Sequence, residues 1–225
     1  MKDQITKTLP RNNWEGIVIS ENNEPLVEMV ATNRIQLSEI SDKPYETSFF
    51  VRKTVADKLV RVSETLPEGL LLVIMEGYRS TESQQKLWDE KYEKLQKENP
   101  TWPAEQIEQQ VRLLIAKPLP LANHHCGGAI DVTLAYDNGE FVDMGTPYID
   151  LIEDNQMNDF LKKIPMLSEE ITEEQKINRA VLRNAMDTED FVWYPGEWWH
   201  YCFGDRMWAV YSGKGECVYG SVDLF

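Results

Sequence analysis

Leu70 to Met75 is an unbroken run of six apolar residues held between Gly69 and Gly77. A run of that length with glycine at both ends predicts a central strand buried on both faces. Ala129 to Leu134 alternates instead, with Ile130 and Val132 on one face and Asp131 and Thr133 on the other. The Asp137-Asn138-Gly139-Glu140 turn follows it and predicts a hairpin with Phe141-Val142 as the return strand. Phe191–Tyr194 and Trp198–Phe203 read as strands on either side of the Pro195-Gly196 turn, and Met207–Tyr211 as one more. Near the start of the chain, Ile17-Val18-Ile19 predicts a short strand that Asn22-Asn23-Glu24-Pro25 closes.

Other stretches carry the helical period. Val51, Val55, Leu59 and Val62 share one helical face, with Ser48 as the expected cap and Leu66-Pro67-Glu68-Gly69 as the stop. Helices are also predicted over Ser83–Lys97 and Ala104–Lys117, the second with an apolar stripe of Ile107, Val111, Leu114 and Ile115. Thr172-Glu173-Glu174-Gln175 has the form of a capping box. It opens a helix expected to turn Ile177, Val181, Leu182 and Ala185 inward. Hairpin signals in some stretches and helices segregated in others predict an α+β fold. The expected form is a single domain whose central, mainly antiparallel sheet is flanked by helices.

Composition narrows the classes of function. The net charge of −15 argues against nucleic-acid binding, which relies on Lys and Arg to neutralise phosphates, and against docking on an anionic membrane. No stretch approaches the ~20 apolar residues of a membrane helix. Met1–Pro10 has no apolar core of a signal peptide, so a cytoplasmic location is expected, or a periplasmic one if a signal has been trimmed. The odd number of cysteines (Cys126, Cys202 and Cys217) does not make a disulfide framework and predicts reduced, packed thiols. Nothing in the pattern sets an oligomeric state.

Candidate chemistry lies in two short clusters that hold all three histidines: Asn123-His124-His125-Cys126-Gly127-Gly128-Ala129-Ile130-Asp131 and Pro195-Gly196-Glu197-Trp198-Trp199-His200-Tyr201. Each sets imidazole near a carboxylate, and a catalytic zinc site takes three such ligands plus a water. On one straight strand His124 and Asp131 would stand ~23 Å apart. Gly127-Gly128 supplies the bend that lets the chain double back.

The order of Gly77-Tyr78-Arg79, then His124-x-x-Gly127-x-Ala129-x-Asp131, then Glu197-x-Trp199-His200 resembles the D-alanyl-D-alanine dipeptidases (VanX-like) of the wider Hedgehog-type zinc peptidases. The likeness runs from about Thr54 to His200. It implies an N-terminal arm over residues 1–45 packed on a zinc peptidase domain over 46–225. One zinc ion per chain is implied, held by His124, Asp131 and His200, with His125 as a competing ligand. A Cys-rich site drawing on Cys126 and Cys202 is the other alternative. Glu197 is implied as general base and acid, and Arg79 as the cation that meets the oxyanion. Tyr78, Trp199 and Asp150 are expected as substrate contacts, Asp150 as the anion for a free amine. Ala122 stands where the family has serine, which puts strict dipeptide specificity in question. The expected activity is hydrolysis of D-alanyl-D-alanine or a similar small D-dipeptide in cell-wall metabolism. The alternatives are a D,D- or L,D-carboxypeptidase or endopeptidase acting on cell-wall stem peptides, and a non-catalytic binding module on the same fold.

Overall fold

The structure is a computed structural model that describes residues 6–9, 11–14, 16–40, 43–113, 115–118, 123–148 and 157–224. After a 3-10 turn at Arg11–Trp14 come the short strands β1 (Val18–Ile19), β2 (Leu26–Glu28), β3 (Ile35–Leu37) and β4 (Phe50–Arg52). They are followed by α1 (Lys53–Thr65), β5 (Leu70–Glu76), α2 (Thr81–Glu98) and α3 (Ala104–Val111). A second 3-10 turn at Asn123–Cys126 leads into β6 (Ala129–Tyr136), α4 (Met157–Lys163) and α5 (Glu173–Thr188). The chain closes with β7 (Val192–Trp193), β8 (His200–Cys202), α6 (Arg206–Tyr211) and β9 (Glu216–Cys217).

The central sheet has five strands in the order β3-β5-β6-β8-β7. Only β3 and β5 run parallel; the β5–β6, β6–β8 and β7–β8 pairs are antiparallel. This is the mainly antiparallel α+β arrangement expected from the pattern. The apolar run forms β5, whose Leu72, Val73 and Ile74 are fully buried, and the alternating run forms its neighbour β6. β3 is an edge strand of this sheet, so the first 45 residues contribute directly to its hydrogen bonding. Among the described residues, no helix is long and apolar enough to cross a membrane.

Arg52 ties the N-terminal segment to the histidine loop. Its side chain is buried and donates to the backbone oxygens of Cys126 (2.7 Å), Glu24 (2.5 Å) and Gly220 (3.1 Å) and to the Glu21 carboxylate (3.1 Å).

Several local expectations are corrected. Met207–Tyr211 is helical: Asp205 caps α6 by accepting a hydrogen bond from Trp208 N at 2.7 Å, and that cap favours a helix over a strand. Ser48 caps no helix, because β4 intervenes and α1 starts after Arg52; Val51 is buried on the strand. α2 starts earlier than expected, capped by Ser80, and α3 stops at Val111. Leu114 of its expected stripe lies outside the described residues. The expected hairpin is present but short: Phe141 bridges Ala135, Tyr136 N donates to Glu140 O at 2.8 Å and Val142 N to Leu134 O at 2.9 Å, and the return goes no further as a strand.

α5 has the capping box, with Thr172 and Gln175 each bonding the other's backbone. Its buried face, however, is Arg179, Leu182, Ala185 and Met186, while Ile177 is 63% exposed. The helix is turned by Arg179, whose guanidinium donates to the carbonyls of Met144, Pro165 and Lys163 at 2.7–2.8 Å and lies over the Trp198 ring. A buried arginine with several carbonyl partners outweighs the burial of one isoleucine. Leu182→Ala should therefore cost about 2–5 kcal/mol in urea denaturation, whereas Ile177→Ala should stay within about 0.5 kcal/mol. A larger loss at Ile177 than at Leu182 would contradict this orientation of α5.

Candidate metal centre and active site

The two histidine clusters meet because β6 pairs with β8 in a register that sets Asp131 directly opposite His200. Residues directly opposite on neighbouring strands share a face, so the pairing brings carboxylate and imidazole together. His200 Nδ1 stands 2.9 Å from Asp131 Oδ1. His124 arrives from the 3-10 turn, and its Nε2 is 3.5 Å from the same oxygen.

The turn that delivers His124 depends on two glycines. Gly127 has φ +71°, and a Cβ there would fall 2.3 Å from Leu26 Cδ2. At Gly128 a Cβ would meet the Phe203 carbonyl at 2.6 Å, so the loop lies against the end of β8. The bend expected at Gly127-Gly128 is present. His124 is then locked to the end of β5: its Nδ1 lies 2.7 Å from Gly77 O, and its own carbonyl accepts from Arg79 N at 3.3 Å. A carbonyl partner for Nδ1 fixes the tautomer that leaves Nε2 free to ligate.

The three ligand atoms of His124, Asp131 and His200 lie within 4.8 Å of one another, and all three residues are buried. Zinc with bonds of about 2.0–2.1 Å at tetrahedral angles needs donors about 3.3–3.5 Å apart. Distances of 3.5 and 2.9 Å come close to that spacing, and two imidazoles with one carboxylate are a catalytic zinc donor set that leaves a position open. The chemistry of the donors therefore fits the ion.

Charge is tuned around this cluster. Burial pushes the Asp131 carboxyl up, but His124 and His200 outweigh it and hold the group well below the usual carboxylate range. Burial lowers the His200 imidazole, and Asp131 more than reverses this, so it binds its proton more tightly than a free histidine. Burial also pushes Glu197 up to about 7, with Asp131 adding to the rise and His200 and Arg79 opposing it. Glu197 lies in the turn between β7 and β8, held by backbone bonds from Glu197 N to Tyr194 O and from His200 N to Glu197 O. Its electrostatic coupling to His200 and Asp131 of the cluster, and to Arg79, ties it to the same site.

A family model described as D-ala-D-ala dipeptidase (Peptidase_M15) matches residues 39–217 of the chain. The chain belongs to that family. It is 34% identical over 95 residues to a D-alanyl-D-alanine dipeptidase of Synechocystis, a stretch covering 41% of this chain and 38% of the relative. It is 28% identical over 133 residues to the D-alanyl-D-alanine dipeptidase of Escherichia coli, covering 59% of this chain and 55% of the relative. The matched stretches thus span between a third and just over half of the relatives' lengths. A solved structure of a mutant vancomycin resistance D,D-pentapeptidase VanY in complex with Zn(II) aligns with 91% of this chain and 96% of its own, at a TM-score of 0.41 and 17% identity.

In this D-Ala-D-Ala dipeptidase family member, the remaining expected residues separate. Arg79 follows β5 closely, and its guanidinium is bound by Glu76 and Gln84. Tyr78 is buried with its hydroxyl 3.3 Å from His125 Nδ1, so its polar end is engaged there. Trp199 is 2% exposed and packs against Tyr148, Phe160 and Trp198, which makes it part of the core under the site. His125 Nε2 lies 3.3 Å from Thr81 Oγ1, and His125 is not part of the ligand cluster. Among the described residues neither Cys126 nor Cys202 joins the clustered ligand atoms, and Cys126 Sγ is spent on Asn123 O at 2.8 Å. Asp150 and Ala122 lie outside the described residues.

Two residues of the site were not anticipated. Tyr148 donates its hydroxyl proton to Asp131 Oδ2 at 2.8 Å. Glu76 is fully buried, and although burial raises its carboxyl, Arg79 and Lys43 hold it down at about 2. The signal for Glu76 was present in the sequence as a carboxylate ending an otherwise apolar strand three residues before Arg79.

His200→Ala and Asp131→Ala should each lose the zinc that the wild-type protein carries at about one per chain, measured by elemental analysis after dialysis. Zinc must also displace the proton that Asp131 helps His200 retain. Below that raised pKa, affinity should climb with pH by about tenfold per unit for one displaced proton, and level off above it. A flat titration from pH 5 to about 8 would contradict the ligand assignment.

Proposed function

We propose that this chain is a zinc-dependent dipeptidase that hydrolyses D-alanyl-D-alanine or a similar small D-dipeptide. The observation that carries the reading is the buried His124–Asp131–His200 cluster with Glu197 beside it, its carboxyl pushed up to about 7. Membership of the D-Ala-D-Ala dipeptidase family supports it, as do two curated relatives bearing that activity as their name.

His124, Asp131 and His200 would hold the ion. When bound, zinc supplies Lewis acidity and brings the pKa of a water in its open position toward ~7. Glu197 then does the proton work. A carboxylate near 7 is matched to neutral pH: it accepts a proton from the attacking water and returns it to the departing amine. Arg79 is the cation at the end of β5, suited to meet the negative charge that develops on the substrate carbonyl oxygen. Tyr148, donating to Asp131 Oδ2, keeps that carboxylate oriented with Oδ1 toward the two imidazoles.

A dipeptidase has to recognise both free ends of its substrate, because a buried amine without a partner is costly. Asp150 is the residue we assign to the amine, from its place after Met144-Gly145-Thr146-Pro147. The decisive comparison is kcat/KM for D-alanyl-D-alanine, its N-acetyl form and the D-alanine tripeptide, with wild type and Glu197→Gln. Wild type should strongly prefer the free dipeptide. Glu197→Gln should retain zinc and lose about 10²–10⁴-fold in kcat. The wild-type acid limb should lie at or below about 7, since added positive charge lowers a carboxyl pKa. Equal cleavage of the tripeptide would replace this reading with that of a carboxypeptidase, and loss of zinc from Glu197→Gln would make Glu197 a ligand.

A further inference from the structure

β5 and β6 do not pair regularly along their whole length. Ile74 stands opposite Val132, yet Glu76 stands opposite Asp131, so two steps on β5 match one step on β6. Met75 is the extra residue of a β-bulge. In a regular antiparallel ladder Glu76 would oppose Ile130, on the face that carries Ile74 and Val132. The bulge transfers it to the face of Asp131, and bulges of this kind re-aim side chains beside sites. A carboxylate has thereby been brought, fully buried, next to the metal cluster.

That carboxylate is surrounded by donors. Oε1 accepts from Tyr45 Oη at 2.8 Å and from Arg79 Nε at 2.9 Å. Oε2 accepts from Lys43 Nζ at 2.6 Å and from Arg79 Nη2. The two bonds to Arg79 form a fork along one edge of the guanidinium, which fixes its plane as well as its position. The other edge is held as well: Arg79 Nη1 donates to Gln84 Oε1 at 2.9 Å, and Gln84 Nε2 donates to Ala116 O at 2.7 Å. Tyr148, whose proton goes to Asp131, also lies 3.4 Å from Glu76 Oε2.

We infer that Glu76 is a positioning residue for the hydrolysis, and that together with Gln84 it clamps Arg79 in the one orientation from which the guanidinium serves the developing oxyanion. This rests on the reading of Arg79 given under Proposed function. An unclamped arginine has several rotatable bonds, and a donor that must be ordered during the reaction contributes less than one already in place. Fork and second clamp together leave the guanidinium no rotation of its own, so the direction of its remaining N–H groups is fixed before substrate arrives.

The test is a double-mutant cycle on the zinc-loaded protein with D-alanyl-D-alanine, using Glu76→Gln, Gln84→Ala and Arg79→Ala. Zinc stoichiometry and thermal midpoints are measured in parallel. Arg79→Ala should lower kcat by about 10²–10³-fold. Glu76→Gln should lower kcat by at least about 10-fold with little change in KM and full zinc, and should cost no more than about 2-fold when Arg79 is already alanine. Gln84→Ala frees only one nitrogen and leaves the buried ion pair intact, so it keeps the test open if Glu76→Gln does not fold. Its smaller kcat loss should likewise vanish in the Arg79→Ala background. Added guanidinium should restore part of the activity of Arg79→Ala, and none once Glu76→Gln is combined with it.

Equal losses from Glu76→Gln or Gln84→Ala in both Arg79 backgrounds would overturn the inference and leave these residues a general structural role. So would guanidinium rescue that is indifferent to Glu76. If Arg79→Ala leaves kcat unchanged while Glu197→Gln abolishes turnover, the inference fails and the dipeptidase reading stands. If D-alanyl-D-alanine is not hydrolysed by the zinc-loaded wild type, it is the dipeptidase reading that fails.

Discussion

An ionised carboxylate buried in a central strand must be surrounded by donors or positive charge, and Asp131 is where the sheet meets that requirement. Its Oδ1 faces His124 and His200, and its Oδ2 accepts from Tyr148. Those partners come from a 3-10 turn, a neighbouring strand and a segment beyond the hairpin, so one side chain ties three separated parts of the chain. Removing a single partner would leave part of a buried charge unmatched, which typically costs several kcal/mol. The same need makes the cluster suited to a cation: a buried carboxylate held ionised between two imidazoles is matched by positive charge placed among them.

Close backbone approach makes this arrangement possible. Gly77 has no room for a side chain, since a Cβ there would fall 2.5 Å from the Phe50 carbonyl. Its carbonyl is thereby presented to His124 Nδ1, while the next turn of chain presents Arg79. Gly128 does the same against Phe203. The apolar strands supply the rigidity, and these two glycines supply the contacts that turn two motifs distant in sequence into one site.

Much of this was legible in the sequence because it rests on local rules. The six-residue apolar run, the alternation around Asp131 and the paired glycines each dictate their own geometry. The spacing of His124, Asp131, Glu197 and His200 needed only the strand pairing to close. What was missed depends on non-local choices. Met207–Tyr211 is too short for periodicity to separate strand from helix, and the deciding feature is the Asp205 cap. Ile177 points outward because Arg179 finds carbonyl partners in distant loops. Glu76 shares a face with Asp131 only through the bulge at Met75, which no alternation rule anticipates. Tyr78 and Trp199 have the residue types of a pocket wall, but their polar or aromatic contacts are made within the protein.

The central claim is that the metal is held by two imidazoles and a carboxylate, with the neighbouring thiols excluded. Cys202 makes this a sharp question, because its Sγ lies only 3.4 Å from His200 Nε2, the nitrogen turned away from Asp131. X-ray absorption at the zinc edge on the stoichiometrically loaded protein answers it directly. The account predicts a first shell of nitrogen and oxygen at about 2.0–2.2 Å with imidazole outer-shell scattering and no sulfur. A sulfur shell at about 2.3 Å would contradict it and move the metal to the cysteine side of His200.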